Sequence, residues 1–296
     1  MSIAVHVDQP VGGRSRRALA YGGAVNVTSP SPASLALATF ARELVGDAFG
    51  GRDPELAQFD LPVAEHDAVV DALTRRFTQH PESTRLLGDL LLERGADPET
   101  TYVGVPHLRV HTGNVAGVDA WRPHRDTWRC APLAQLNHWM PVYEVDEDNA
   151  VALHTGYFSQ AIGNDSAGYD HRPWTRAVGA TPSPPVATET VDPFSAAVFV
   201  TPVGGVLQFS GQHLYCTAPR ENDRTRFVID VPTVDAGDVR AGLGARNVDG
   251  RCLGSSIRDF IRVADLSPMP EDVVAVLEHR GAVASAPPAR PAFTKA

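Results

Sequence analysis

Cysteine is scarce in this chain of 296 residues: Cys130, Cys216 and Cys252 are the whole supply. Three thiols so widely spaced build neither a disulfide framework nor a paired-cysteine metal knuckle, so a reducing compartment, the cytoplasm, is the expected setting. No run of 18 apolar residues occurs, and the stretch from Met1 to Arg17 carries Asp8 and a late basic cluster instead of a signal-type apolar run. No membrane partner is expected. Basic charge is short as well: Lys+Arg 26 against Asp+Glu 35 leaves a net charge of -9 with no basic run. That excludes the electrostatic footprint of phosphate-backbone binding, so nucleic acid is not an expected partner. A glycine-rich phosphate loop and a nucleophile elbow are also missing.

What is present is an ordinary globular composition, 43% hydrophobic with 25 Gly and 24 Pro, enough to bury a large core without covalent staples. From Ser31 to about Gly95 apolar residues recur at helical spacing, as in Leu35, Leu37, Phe40 and Leu44 and again in Leu86, Leu87, Leu90 and Leu91. Beyond Thr101 the pattern changes to short apolar runs between Gly, Pro and Asn/Asp clusters, which reads as strands of a sandwich, barrel or jelly roll. The expected organisation is a helical region over 1–100, a β core over 101–234, a mixed extension over 235–281 with a helix near Glu271–Arg280, and a disordered tail over 282–296. The proline-rich stretch from Gly179 to Pro193 reads as an excursion from the core or a plain surface loop.

The chemistry-bearing candidates begin with His124-Arg125-Asp126. In an extended segment residues i and i+2 share a face, so an imidazole and a carboxylate can meet one metal ion. Alone the spacing says little: with 11 histidines, chance supplies about one such pair, and His6-Val7-Asp8 is a second instance. Its company says more. Pro123 to Trp128 is followed by the strand-like Gln135-Leu136-Asn137-His138-Trp139-Met140-Pro141-Val142-Tyr143, then by Phe209 to Pro219 and Arg224-Thr225-Arg226-Phe227.

This order resembles the phytanoyl-CoA dioxygenase-like branch of the iron(II)/2-oxoglutarate oxygenases, over about Val103 to Leu266. The resemblance implies a mainly β fold with flanking helices and a double-stranded β-helix (jelly roll, cupin-like) core. It also implies Fe(II) on two His and one carboxylate, with 2-oxoglutarate as cosubstrate. His124 and Asp126 would supply two metal ligands and Arg226 would pair with the far carboxylate of 2-oxoglutarate. Gln135 and Thr217 stand where relatives place further cosubstrate contacts, or are strand polar groups bonded to backbone.

The third ligand departs from the pattern. Counting back from Thr217, Pro219 and Arg226 lands on Tyr215, where relatives carry His. His213 lies two residues earlier on the same strand face, about 6.6 Å away at roughly 3.3 Å per residue. Three accounts follow: a bulge lets His213 bind, with Arg224 as anchor; Tyr215 binds as phenolate, favouring ferric iron; or the site has left iron chemistry. The expected function is hydroxylation of a small polar, natural-product type molecule. Asp126 argues against a halogenase, in whose relatives a small residue opens that position to chloride. The rival is a metal-free binding module, or an isomerase or lyase, on the same jelly roll. His138 is read as a core or pocket histidine, and the Trp residues as packing.

Overall fold

The computed structural model describes residues 3–112, 122–171, 183–218 and 223–284. Its strands are short and alternate in side-chain direction, and one of them shows why two layers form. In β10 (Arg226–Asp235), Phe227, Ile229 and Val231 join a core shared with helices, while Val228 joins a second core between two sheets. A strand buried on both faces must sit centrally. It pairs antiparallel with β3 (Thr101–Val103), β4 (His107–His111) and β5 (Leu136–Pro141). Beyond β5 comes β8 (Val206–Ser210), also antiparallel.

The second sheet has the order β7 (Ala196–Phe199), β6 (Val151–His154), β9 (Tyr215–Thr217). A two-way backbone bridge from His124 to Tyr215 adds a rudimentary strand at its edge. Numbering the eight core segments from β4 through the His124 segment to β10 gives facing sheets in the order 1-8-3-6 and 2-7-4-5. This is the winding of a double-stranded β-helix, a jelly roll with flanking helices, as expected.

The outer face of the larger sheet is covered by α2 (Pro32–Phe49), α4 (Val63–Gln79) and α5 (Pro81–Glu93), whose Leu37, Leu44, Leu73, Phe77, Leu86 and Leu90 meet Met140, Phe227 and Ile229. Ser31 starts α2 in a reciprocal capping box with Ser34, and Gly50 ends it at φ 61°. Between α2 and α4 lies the single turn α3 (Ala57–Asp60). The N-terminal region is not purely helical. β1 (Val5–Val7) and β2 (Val25–Thr28), flanking α1 (Gly13–Tyr21), extend the larger sheet through the β2–β8 pairing, Asn26 opposite Gln208. These strands are too short to show a period of two.

The C-terminal part packs α6 (Ala236–Arg240) and α7 (Glu271–Ala284) around Val234, Ile257 and Phe260, and β11 (Ile261–Arg262) joins β3. The helix expected over 271–280 continues to Ala284; 285–296, most of the expected tail, lie outside the described residues, as do 179–182 of the proline-rich excursion. Among the described residues no helix is long and apolar enough to cross a membrane.

Candidate active site

The jelly roll leaves a cavity of about 670 Å³ at its mouth, bounded by β4, β9 and β10, by one face of α4 and by Pro184. Its wall carries His124, Tyr215, Thr217 and Arg226, together with Arg109, Arg129 and Asp230.

His124 is buried, and its Nδ1 lies 3.0 Å from the Arg122 carbonyl. A carbonyl only accepts, so Nδ1 carries the proton and Nε2 keeps its lone pair. Burial, followed by the positive charge of Arg129, holds this imidazole well below its usual range and therefore neutral. Asp126 opens a single 3-10 turn, Asp126–Arg129, whose place is fixed by Asp126 N–H and Thr127 N–H donating to Gly211 O. Behind it Asp249 holds the turn: it accepts from Trp128 Nε1 at 2.7 Å and pairs with the fully buried Arg125 at 3.1 Å.

The Asp126 carboxylate takes amide donors on one oxygen and a phenol on the other. Gln135 Nε2 at 3.1 Å and Asn137 Nδ2 donate to Oδ2, and the Tyr215 hydroxyl donates to Oδ1 at 2.9 Å. The rings of Tyr215 and His124 lie 4.4 Å apart. Burial and the neighbouring Asp126 charge push the Tyr215 phenol well above its usual value, so it is a protonated donor.

The structure thus brings His124, Asp126 and Tyr215 together. His213 does not join them: its Nδ1 lies 3.1 Å from Ser210 O and its Nε2 3.2 Å from Gly23 O, with the Phe158 ring tilted against it at 4.5 Å. Both nitrogens face carbonyls, and no bulge re-aims the ring. Arg224 is likewise elsewhere, ion-paired to Glu55 at 3.2 Å. Gln135, expected beside the cosubstrate, spends its amide on Asp126 and Asn137.

At the other end of the wall Arg226 donates to Thr217 Oγ1 at 2.7 Å, to Ala150 O at 3.2 Å and to Asn149 O, and lies over the Trp139 ring. These contacts set the plane of its guanidinium. His138 points to the helical side of the sheet, with Nε2 3.0 Å from Thr233 Oγ1.

The sequence assigns no role to Asn137 and Asp249, which lie within the stretches that carry the resemblance, and does not single out Arg109, Arg129 or Asp230. Asn137 had a usable signal, since it follows Gln135 by two in a strand and must share its face. The others are placed by register and tertiary packing. Arg109 and Asp230 come from paired strands and form an ion pair at 3.6 Å.

Among the described residues no three His, Cys, Asp or Glu side chains are placed to hold a metal ion. The donors grouped around Tyr215 are one imidazole nitrogen, one carboxylate and its own phenol oxygen. They fit iron as a nitrogen-oxygen-oxygen set, on condition that Tyr215 yields its proton.

No family model and no curated protein matches the chain. Among solved structures it is similar to EvdO2 from Micromonospora carbonacea var. aurantiaca complexed with 2-oxoglutarate (13% identity, 79% of this chain and 94% of that one, TM-score 0.46). It is also similar to EctD from S. alaskensis with 2-oxoglutarate and 5-hydroxyectoine (14%, 78% of each chain, TM-score 0.46). A third similar structure is the epimerase SnoN in complex with Fe3+, alpha ketoglutarate and nogalamycin RO (14%, 75% of this chain and 83% of that one, TM-score 0.40).

Proposed function

We propose that this chain is an iron- and 2-oxoglutarate-dependent oxygenase of the phytanoyl-CoA dioxygenase-like kind, hydroxylating a small polar substrate of natural-product type in the cytoplasm. The observation that carries the reading is that Tyr215 lies between His124, its ring 4.4 Å away, and Asp126, which its hydroxyl meets at 2.9 Å, at a cavity wall that His124 and Tyr215 share with Arg226 and Thr217. His124 Nε2, the Asp126 carboxylate and the Tyr215 oxygen would hold the metal. Bound iron would let dioxygen oxidise both partners, one oxygen atom going to the succinate formed by decarboxylation of 2-oxoglutarate and the other to a substrate C–H bond.

The remaining roles belong to the chain itself. The Arg122 carbonyl fixes the His124 tautomer, and Gln135 and Asn137 hold Asp126 by one oxygen, leaving the other turned to Tyr215. Arg226, a planar fork oriented by Thr217, suits the distal carboxylate of the keto acid. The second reading is a jelly roll that binds or isomerises without iron, and one contact favours it: the Tyr215 phenol, held protonated, donates to Asp126 at 2.9 Å.

An anaerobic titration with Fe(II), then 2-oxoglutarate, then air, followed in the visible, separates the two. A weak band needing both additions supports the oxygenase, and a strong band on oxidation that is lost in Tyr215→Phe supports phenolate ligation. Absence of any band and of binding would leave the metal-free reading.

A further inference from the structure

The proposed cosubstrate station uses one end of the cavity wall. Along β10, Arg226, Val228 and Asp230 face the cavity, so Asp230 lies four residues, roughly 13 Å, from Arg226 at about 3.3 Å per residue. That far end has its own charges. Arg109 and Asp230 neutralise one another at 3.6 Å. His107, opposite Asp230 in the register, is held neutral by burial and by Arg109, its pKa lowered to about 3.

Arg129 is left. It closes the 3-10 turn that Asp126 opens, and in such a turn residues i and i+3 eclipse, so its side chain leaves on the side of Asp126. It lines the cavity within electrostatic reach of His124, Tyr215 and Asp230. Its Nε is buried, and among the described residues no acceptor is found for it. A buried guanidinium donor without an acceptor is costly, and an acceptor on a bound ligand would satisfy it.

We infer that Arg129 is a specificity-determining residue that receives a carboxylate of the substrate, so that the oxidised molecule is a monoanionic carboxylic acid. The inference rests on the proposed function only in calling that molecule the substrate. Two carboxylates, Asp71 and Asp230, already line the cavity beside Arg109 and Arg129, so a single carboxylate adds less repulsion there than a phosphate dianion would. The planar fork matches carboxylate geometry.

The test uses the full chain loaded with Mn(II) and the unreactive keto-acid analogue N-oxalylglycine, which fills the Arg226 station. Benzoate and cyclohexanecarboxylate are then titrated, each against its primary amide. At least one acid is expected to bind tenfold or more tightly than its amide. Arg129→Gln should erase that preference, and Arg129→Lys should keep part of it, while N-oxalylglycine affinity changes less than twofold in both. Equal binding of acid and amide in the wild-type chain overturns the inference without any variant needing to fold. A tenfold loss of N-oxalylglycine affinity in Arg129→Gln also overturns it, by assigning Arg129 to the cosubstrate. Failure of Mn(II) and N-oxalylglycine to bind the wild-type chain would instead sink the proposed function, and the acid preference would then be read on the metal-free protein.

Discussion

Tyr215 decides the chemistry of the cavity because it stands between a donor role and a ligand role. As a protonated phenol it donates to Asp126; as a ligand it must give up a proton that burial and Asp126 both hold in place. Histidine at this position would offer a lone pair at neutral pH without that cost. Tyr215→His is therefore expected to raise Fe(II) affinity at least tenfold, read by anaerobic titration of the metal-free chain; no gain would mean that Tyr215 does not face the metal position. Arg226 permits a second test at this scale. Arg226→Gln should weaken 2-oxoglutarate binding by about 10- to 100-fold, since a charge-assisted bidentate pair is replaced by a neutral contact worth about 1.5–3 kcal/mol less. Isothermal titration with Fe(II)-loaded protein would show it, and unchanged affinity would move the cosubstrate elsewhere.

The C-terminal extension acts on the site through the loop that precedes β5. Ala245 N–H donates to Leu133 O at 2.8 Å, two residues before Gln135, and Gly244 sits at φ 152° with room for no side chain: an added Cβ would lie 2.7 Å from the Leu133 carbonyl. Gly244→Ala should cost about 2 kcal/mol or more, seen as a lower urea midpoint. It should also lower Fe(II) affinity, because Gln135 supports Asp126; a variant as stable as wild type would show that the extension does not clamp this loop. The same contact illustrates what the sequence could and could not reveal. The β core was legible in local alternation, while the His124-x-Asp126 pair, Tyr215 and Arg226 were legible only through the family resemblance, which rests on their order and spacing along the chain. Gln135 was legible as a site neighbour but not as a partner of Asp126, because its direction depends on the turn at Gly211. Arg109 with Asp230 depends on a register between strands more than a hundred residues apart, and β1 and β2 depend on a sheet edge that β8 supplies. His213 misled for a related reason: strand alternation was assumed up to a residue that lies in the turn before β9.

The whole molecule carries its acid sensitivity in buried imidazoles. Burial, ahead of nearby Arg charges, lowers His138 and His107 to about 3, and burial lowers His154 too. These groups stay neutral in the folded chain while the unfolded chain takes up protons as pH falls below about 6.5. A folded-state pKa below the unfolded one means that the stability is fully present above pH 6.5 and is lost progressively as pH falls toward 3. Asp230 acts in the opposite sense. Burial raises it to about 6, so between pH 6 and 4 the folded chain binds this proton first and regains part of the loss. Between pH 6.5 and 5 a fully buried imidazole costs about 2 kcal/mol, whereas Asp230 returns about 1 kcal/mol over the same interval. His107 is less enclosed than His138 and costs less, but the imidazoles together outweigh the single carboxyl. The urea midpoint should therefore drop steadily from pH 7 to 5, and His138→Gln should flatten that slope relative to its own value at pH 7.5. A midpoint that rises on acidification would mean that carboxyls such as Asp230, and not the imidazoles, set the proton balance of folding.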